Sequence, residues 1–352
     1  MKSATPLSGI DLSMPFPENE VGATVELAAA DMWQWLERFE LCPTLPTIDH
    51  LRRTRPEIIT ALYIPAADGE TLPYLSEWMA WFFIVDDQFD HSGSEGQDAQ
   101  RCARDIDSLL RVIDTGAHSA PALSNGLPRA HAALSDLWQR LPSHLSPNWR
   151  TVFRDHIREW LWSDYAEMVD RASERLPALW EYREHRRDNV GNFMLLDLCE
   201  IAAGFEVTEL TRRLPCMINL RRSAVEHTGI INDIRSVEKE RANGDHRNTV
   251  LLIEQNHRIA VDSALKVAGG FANECIDRMN TARRELPSQL AAAGITGVER
   301  GRALTIADHY LSLVRGNFDY HEQTERFNIG RYDHPDEFKE GNPVYLADVL
   351  GR

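Results

Sequence analysis

Apolar residues return at steps of three and four along most of the chain, the spacing of helices with one buried face. Val21, Val25, Leu27, Ala28, Met32, Trp35, Leu36 and Phe39 mark the first such helix. Pro43, Pro46 and Pro56 punctuate the next stretch, and Pro65 and Gly69 break the chain before a long helix carrying Trp78-Met79-Ala80-Trp81-Phe82-Phe83-Ile84-Val85. So apolar a run predicts a helix packed against protein on most sides. Its last turn reads Asp86-Asp87-Gln88-Phe89-Asp90, and the glycine- and serine-rich 91–96 predicts a loop. Helical periodicity resumes through Leu109, Leu110 and Ile113, pauses over 116–128 and returns over 130–141, with Pro142 and Pro147 at the next corner. Further helices are predicted over 149–172, 180–187, 190–203, 216–242, 258–284 and 302–323. No segment alternates as a strand would, and no fixed period marks a solenoid. The pattern predicts an all-α, single-domain helical bundle over 1–352. Residues 1–20 form a strap along its surface, and 333–352 a loosely ordered tail or a lid.

Composition narrows the partners. The chain has 352 residues, 43% of them hydrophobic, enough for a sizeable core. Asp and Glu outnumber Lys and Arg by 54 to 38, a net charge of −16. That balance argues against nucleic acid or an anionic membrane as the main partner. An acidic protein that takes a phosphorylated substrate therefore needs metal ions or a local group of arginines. The five cysteines, Cys42, Cys102, Cys199, Cys216 and Cys275, are scattered and never in C-x-x-C spacing, as expected of reduced thiols in a cytoplasmic protein. Residues 1–17 lack the apolar core of a secretory signal, and no stretch approaches a membrane span.

Two polar constellations carry candidate chemistry. On one helical turn Asp86 and Asp90 share a face, with Asp87 about 100° away. Such carboxylates repel unless they are solvated or bridged by a hard divalent cation such as Mg²⁺. Far downstream, Asn232, Ser236 and Glu240 stand at i, i+4 and i+8 in Asn232-Asp233-Ile234-Arg235-Ser236-Val237-Glu238-Lys239-Glu240. Three oxygen donors thus share one stripe about 12 Å long at 1.5 Å per residue. The stripe either faces water or holds one octahedral Mg²⁺ that keeps waters or phosphate oxygens as its other ligands.

Together, Asp86-Asp87-x-x-Asp90 and Asn232-Asp233-x-x-Ser236-x-x-x-Glu240, which begins 146 positions after Asp86, resemble the two metal motifs of the class I terpene synthases, specifically the single-domain bacterial terpene cyclases. The resemblance covers residues 13–332, through Pro15-Phe16-Pro17, the 33–41 region, Tyr63-x-Pro65 and Gly244-Asp245-x-x-Asn248. It implies the class I terpenoid synthase fold, a helical bundle around a central active-site cavity, and three Mg²⁺ ions held by Asp86, Asp87, Asp90, Asn232, Ser236 and Glu240. It also implies a diphosphate sensor 46 positions before Asn232, which is Arg186, with Asn189 as linker and Val190 as effector at a helix break. The family's carboxy-terminal Arg-Tyr pair falls on Arg326-Phe327, which lacks the hydroxyl, while Arg331-Tyr332 stands five residues later. Arg186, Lys239 and Arg326 are the expected diphosphate donors. Phe82, Phe83 and Tyr320 are placed to offer aromatic faces to a carbocation, worth on the order of 2 kcal/mol per ring in a dry site.

The function so implied is Mg²⁺-dependent cyclisation of an acyclic prenyl diphosphate by a cytoplasmic monomer or homodimer. Farnesyl diphosphate is the expected substrate, and geranylgeranyl diphosphate the alternative. A chain-elongating prenyl diphosphate synthase would carry a second aspartate-rich motif in place of the Asn/Ser/Glu stripe. A non-catalytic diphosphate-binding protein is the rival from another class, and turnover separates the two.

Overall fold

A computed structural model describes residues 10–90, 99–115, 128–173, 175–324 and 349–351. They form fourteen α-helices and no strand. By their contacts they fall into two compact units. One is drawn from Met1–Val21, Leu62–Ala67 and Leu176–Asn328, the other from Gly22–Ala61, Asp68–Arg175 and Ile329–Arg352.

The second unit is built on α4 (Thr71–Asp90), which contacts α1 (Val25–Arg38), α2 (Leu45–Thr54), α6 (Arg129–Gln139) and α7 (Pro147–Ala172). Apolar side chains surround α4, so it can only sit inside a bundle. Leu75, Trp78, Met79, Ala80, Trp81, Ile84 and Val85 are all buried. Two of its ring residues place their polar atoms on carbonyls: Trp81 Nε1 donates to the Ala130 carbonyl at 2.9 Å, and the Tyr74 hydroxyl to the Leu137 carbonyl at 2.7 Å. α5 (Ala99–Asp114) packs on α6 and α7.

Helix α2 and α3 (Pro56–Tyr63) occupy a stretch whose prolines predict breaks. Those prolines start helices instead, because the first turn needs no N–H partner there. Thr44 caps α2 in a reciprocal box with Thr47, Pro46 stands in the first turn, and Pro56 is the first residue of α3. Arg55, left-handed at φ 54°, makes the corner between them.

The first unit centres on α11 (Pro215–Asn243), which contacts α8 (Leu179–Asn189), α9 (Asn192–Ala203), α10 (Glu209–Arg212), α12 (Thr249–His257), α13 (Val261–Ala292) and α14 (Gly297–Gln323). The short α10 and α12 also go beyond the sequence pattern, since each is brief and begins at a polar cap, Thr208 and Asn248. α13 runs past the predicted end at 284 and through Pro287.

In the same unit, residues 10–20 lie extended along the helices. The Asn273 side chain accepts from the Ser13 amide and donates to the Asp11 carbonyl, each at 2.8 Å. The Phe16 carbonyl accepts from Arg315 at 3.0 Å, and Asn19 bridges the Leu62 and Ser312 carbonyls, each at 2.7 Å.

Candidate active site

Helix α8 ends at a break that brings its last turn against α11. Val190 caps α8, and Gly191 opens α9 in the left-handed region at φ 71°, where a side chain would be strained. Arg186 therefore leaves α8 beside the polar stripe. Its Nε donates to Asp233 Oδ1 at 3.0 Å, one terminal nitrogen to Asn189 Oδ1 at 2.9 Å, and the other to Asn232 Oδ1 at 2.9 Å. At least three of its five N–H groups are thus used inside the protein. Gly229 makes room for this approach, since a Cβ there would stand 3.3 Å from Arg186 Cγ.

Asp233 is the fixed point of the cluster. It is 1% exposed, and its second oxygen accepts from the Tyr182 hydroxyl at 3.1 Å and from the Thr249 amide and hydroxyl at 2.9 and 2.6 Å. Asn248 caps α12 through Val250 and Leu251 and turns its Nδ2 to two acceptors on α11, the Asp233 carbonyl and Glu240 Oε2, each at 2.7 Å. The end of α11 is thereby tied to the start of α12.

The stripe predicted from spacing is present on α11. Ser236 is buried and donates to the Asn232 carbonyl at 2.8 Å, while Asn232, Lys239 and Glu240 are half-buried. Lys239, seven residues after Asn232, lies on nearly the same face. Burial, with the Asp233 charge nearby, pushes the Glu240 carboxyl up to about 7, against the opposing pull of Ser236, Asn248 and Arg186. A carboxylate so placed is short of positive charge, and with an amide oxygen and a hydroxyl on the same stripe it makes a hard oxygen donor set. That set fits a divalent cation such as Mg²⁺. Among the described residues no cluster of three His, Cys, Asp or Glu side chains forms a metal site by itself, so a site here draws on Asn232 and Ser236 as well.

In the other unit, the aspartate turn closes α4. Asp87 is buried and turned to α2, where His50 Nε2 donates to its Oδ2 at 2.8 Å. Asp86 is half-buried. Asp90 is the last residue of α4, and its side chain lies outside the described structure. Phe82 is enclosed by rings, its centroid 5.5 Å from Trp78, 5.7 Å from Trp81 and 5.6 Å from Trp160. Phe83 is the less enclosed of the pair, half-buried where Phe82 is buried.

Tyr320, in the first unit, is buried edge-on to Tyr63 at 6.5 Å, and its hydroxyl accepts from Thr324 Oγ1 at 3.0 Å. Arg326, Phe327, Arg331 and Tyr332 lie outside the described residues.

Sequence reasoning named the stripe and Arg186 but not the residues that hold them: Tyr182, Asp233 and Thr249. Asn248 had a visible mark, a helix-capping residue just ahead of the apolar run 250–253. Asp233 stands in the motif itself, but one position off the stripe, so nothing in the spacing marks its role as the group that holds Arg186.

Comparison with known proteins gives this geometry its family. The family described as "Terpene synthase family 2, C-terminal metal binding" matches residues 77–278. The chain is 28% identical to (2Z,6E)-hedycaryol synthase of Kitasatospora setae, over 91% of this chain and 92% of that one. It is 26% identical to the (−)-β-caryophyllene synthase of Saccharothrix espanaensis, a protein named as cyclising (2E,6E)-farnesyl diphosphate, over 96% and 93% of the two chains. Among solved structures, α-eudesmol synthase shares the fold with a TM-score of 0.80 at 23% identity, covering 89% of this chain and 98% of that one. The family match alone takes in more than half of the sequence, from within the aspartate helix α4 to the middle of α13, and the chain belongs to terpene synthase family 2 as a bacterial class I terpene synthase of the all-α fold, a lyase acting on prenyl diphosphates.

Proposed function

We propose that the protein is a Mg²⁺-dependent sesquiterpene cyclase, which ionises farnesyl diphosphate and closes the resulting cation to a cyclic C15 hydrocarbon or alcohol. The observation that carries this reading is the α11 cluster, where Asn232, Ser236 and Glu240 share a face and Arg186 reaches Asn232 directly. Relatives that match along nearly the whole chain include one named for farnesyl diphosphate, which favours the C15 substrate and a single catalytic domain over 1–352.

In this reading Asn232, Ser236 and Glu240 hold one Mg²⁺, and Asp86 with Asp87 or Asp90 serves the others of a set of three. Bound Mg²⁺ supplies Lewis acidity that neutralises charge on the departing diphosphate. Arg186, Lys239 and Arg326 donate to diphosphate oxygens, with charge-assisted bonds stronger than neutral ones. Asn189 links Arg186 to the break, and Val190 at that break is the effector. Phe82, Phe83 and Tyr320 stabilise the cation through their ring faces.

Incubation of the purified protein and Mg²⁺ with C10, C15 and C20 diphosphates, read by gas chromatography and mass spectrometry, tests the proposal. A cyclic C15 product as the main one supports it. Cyclisation of the C20 substrate alone would replace farnesyl with geranylgeranyl diphosphate, and no product from any chain length would overturn the reading.

A further inference from the structure

We propose that His321 is a positioning residue that keeps the Asn232 amide oxygen-first toward the metal site. The inference rests on the reading of Asn232 as a metal ligand and of Arg186 as a diphosphate donor.

An amide has two ends of almost equal size and opposite chemistry. Oδ1 can ligate a cation, and Nδ2 cannot. A half-turn of the Asn232 side chain would therefore remove a ligand without changing shape. Two neighbours fix the orientation. Arg186 donates to Oδ1 at 2.9 Å, and His321 Nε2 stands 3.3 Å from Nδ2.

The direction of the second bond follows from the other side of the His321 ring. Nδ1 lies 2.7 Å from the Asn317 carbonyl one turn earlier on α14. A carbonyl only accepts, so Nδ1 carries the proton, and the neutral ring offers Nε2 as an acceptor. The amide must then turn its NH₂ toward His321 and its oxygen away. The ring itself is held. His321 is 5% exposed and lies edge-on to Tyr320, with centroids 5.4 Å apart. Asn317 is pinned in turn through its Nδ2, which donates to the Tyr63 hydroxyl at 2.6 Å. Arg235 and Glu322 pair close by, joining α11 to the last turn of α14.

Of the two neighbours, only His321 can serve throughout a catalytic cycle. When Arg186 turns its N–H groups to diphosphate oxygens, Asn232 Oδ1 loses that donor. The contact at Nδ2 is unaffected, and the oxygen stays presented.

The test is calorimetric titration of Mg²⁺ in the presence of inorganic diphosphate, with thermal midpoints measured alongside. His321→Asn keeps a donor for the Asn317 carbonyl but is too short to reach Asn232. His321→Gln is long enough to offer Asn232 an oxygen. Outer contacts of this kind change metal affinity about 10- to 100-fold. His321→Asn should lose that much and His321→Gln should recover most of it. In an Asn232→Asp background both ends of the side chain are oxygens, so His321→Asn should cost nothing further.

Equal affinity of wild type and His321→Asn would overturn the proposal, as would a loss of the same size in the Asn232→Asp background, which would mark general damage. Failure of the wild type itself to bind Mg²⁺ with diphosphate would instead bring down the metal reading, and the role of His321 with it.

Discussion

The Asp233 carboxylate accepts from Arg186, Tyr182 and Thr249, the last through both amide and hydroxyl, so four donors converge on a group with no exposed route to water. Asp233→Asn would leave the Arg186 charge unopposed and turn an NH₂ toward donors. Breaking one side of a buried pair costs about 3 to 5 kcal/mol, and urea unfolding should show a loss of that size, whereas a change under about 1 kcal/mol would mean that Arg186 is held by its amide contacts alone. Arg186 itself was legible only through the family resemblance, which implies a diphosphate sensor 46 positions before Asn232. Asp233 was not, because its role comes from α8 and α12 meeting α11, and no local pattern records that meeting. Spacing also favours Arg326 over Arg331 as the carboxy-terminal donor. Arg326→Ala should lower turnover about ten- to a hundredfold, the kinetic equivalent of a charge-assisted bond worth about 1.5 to 3 kcal/mol. Arg331→Ala should do little, and the reverse result would move the motif five residues along.

At the scale of elements, α14 is fixed in place through the consecutive residues Arg315, Gly316 and Asn317. Arg315 pairs with Asp319 and Glu18, and Asn317 reaches Tyr63. Gly316 lets the helix come so close to the end of α3 that a Cβ there would stand 2.0 Å from the Leu62 carbonyl oxygen. Helix propensity alone favours Ala over Gly by about 1 kcal/mol, so the sign of Gly316→Ala is diagnostic. The variant should lower stability by about 1 to 3 kcal/mol or more through overpacking, and a rise in the thermal midpoint would show that α14 does not need this approach. The long helices were readable because their apolar stripes run for several turns. α2 and α3 were obscured by Pro46 and Pro56, residues that stop a helix when inside it but start one when in its first turn. α10 and α12 are too short for periodicity to emerge, leaving only their caps as a signal.

Over the whole molecule, buried ionisable groups set opposing dependences on pH. Burial pushes the carboxyl of Glu200, which is paired with Arg212, up to about 7 from 4.5, and Glu77 likewise to about 7. Between these values the folded protein holds a proton that the unfolded chain has lost. The stability this contributes is complete below about 4.5 and is lost as pH rises through about 7. His131 and His227 act in the other direction, since burial lowers them to about 4 and about 3, and their contribution is lost as pH falls below 6.5. The histidines cancel when the wild type is compared with Glu200→Gln. Between pH 4.5 and 7.5 the wild type should lose about 3 kcal/mol relative to the variant. Parallel stability curves would show that Glu200 stays ionised through its Arg212 pair. The same low tolerance for buried charge underlies the proposed chemistry, in which an acidic protein takes an anionic substrate only because cations stand between them. Formation of a cyclic C15 product from farnesyl diphosphate, followed across a Mg²⁺ titration for wild type and Glu240→Gln, tests that claim most directly. Product should be absent without metal, saturate with Mg²⁺ in the wild type, and in the variant either vanish or require far more Mg²⁺. Turnover without added metal in the presence of a chelator, or an unchanged Mg²⁺ requirement in Glu240→Gln, would contradict the assignment of α11 as the metal-binding helix.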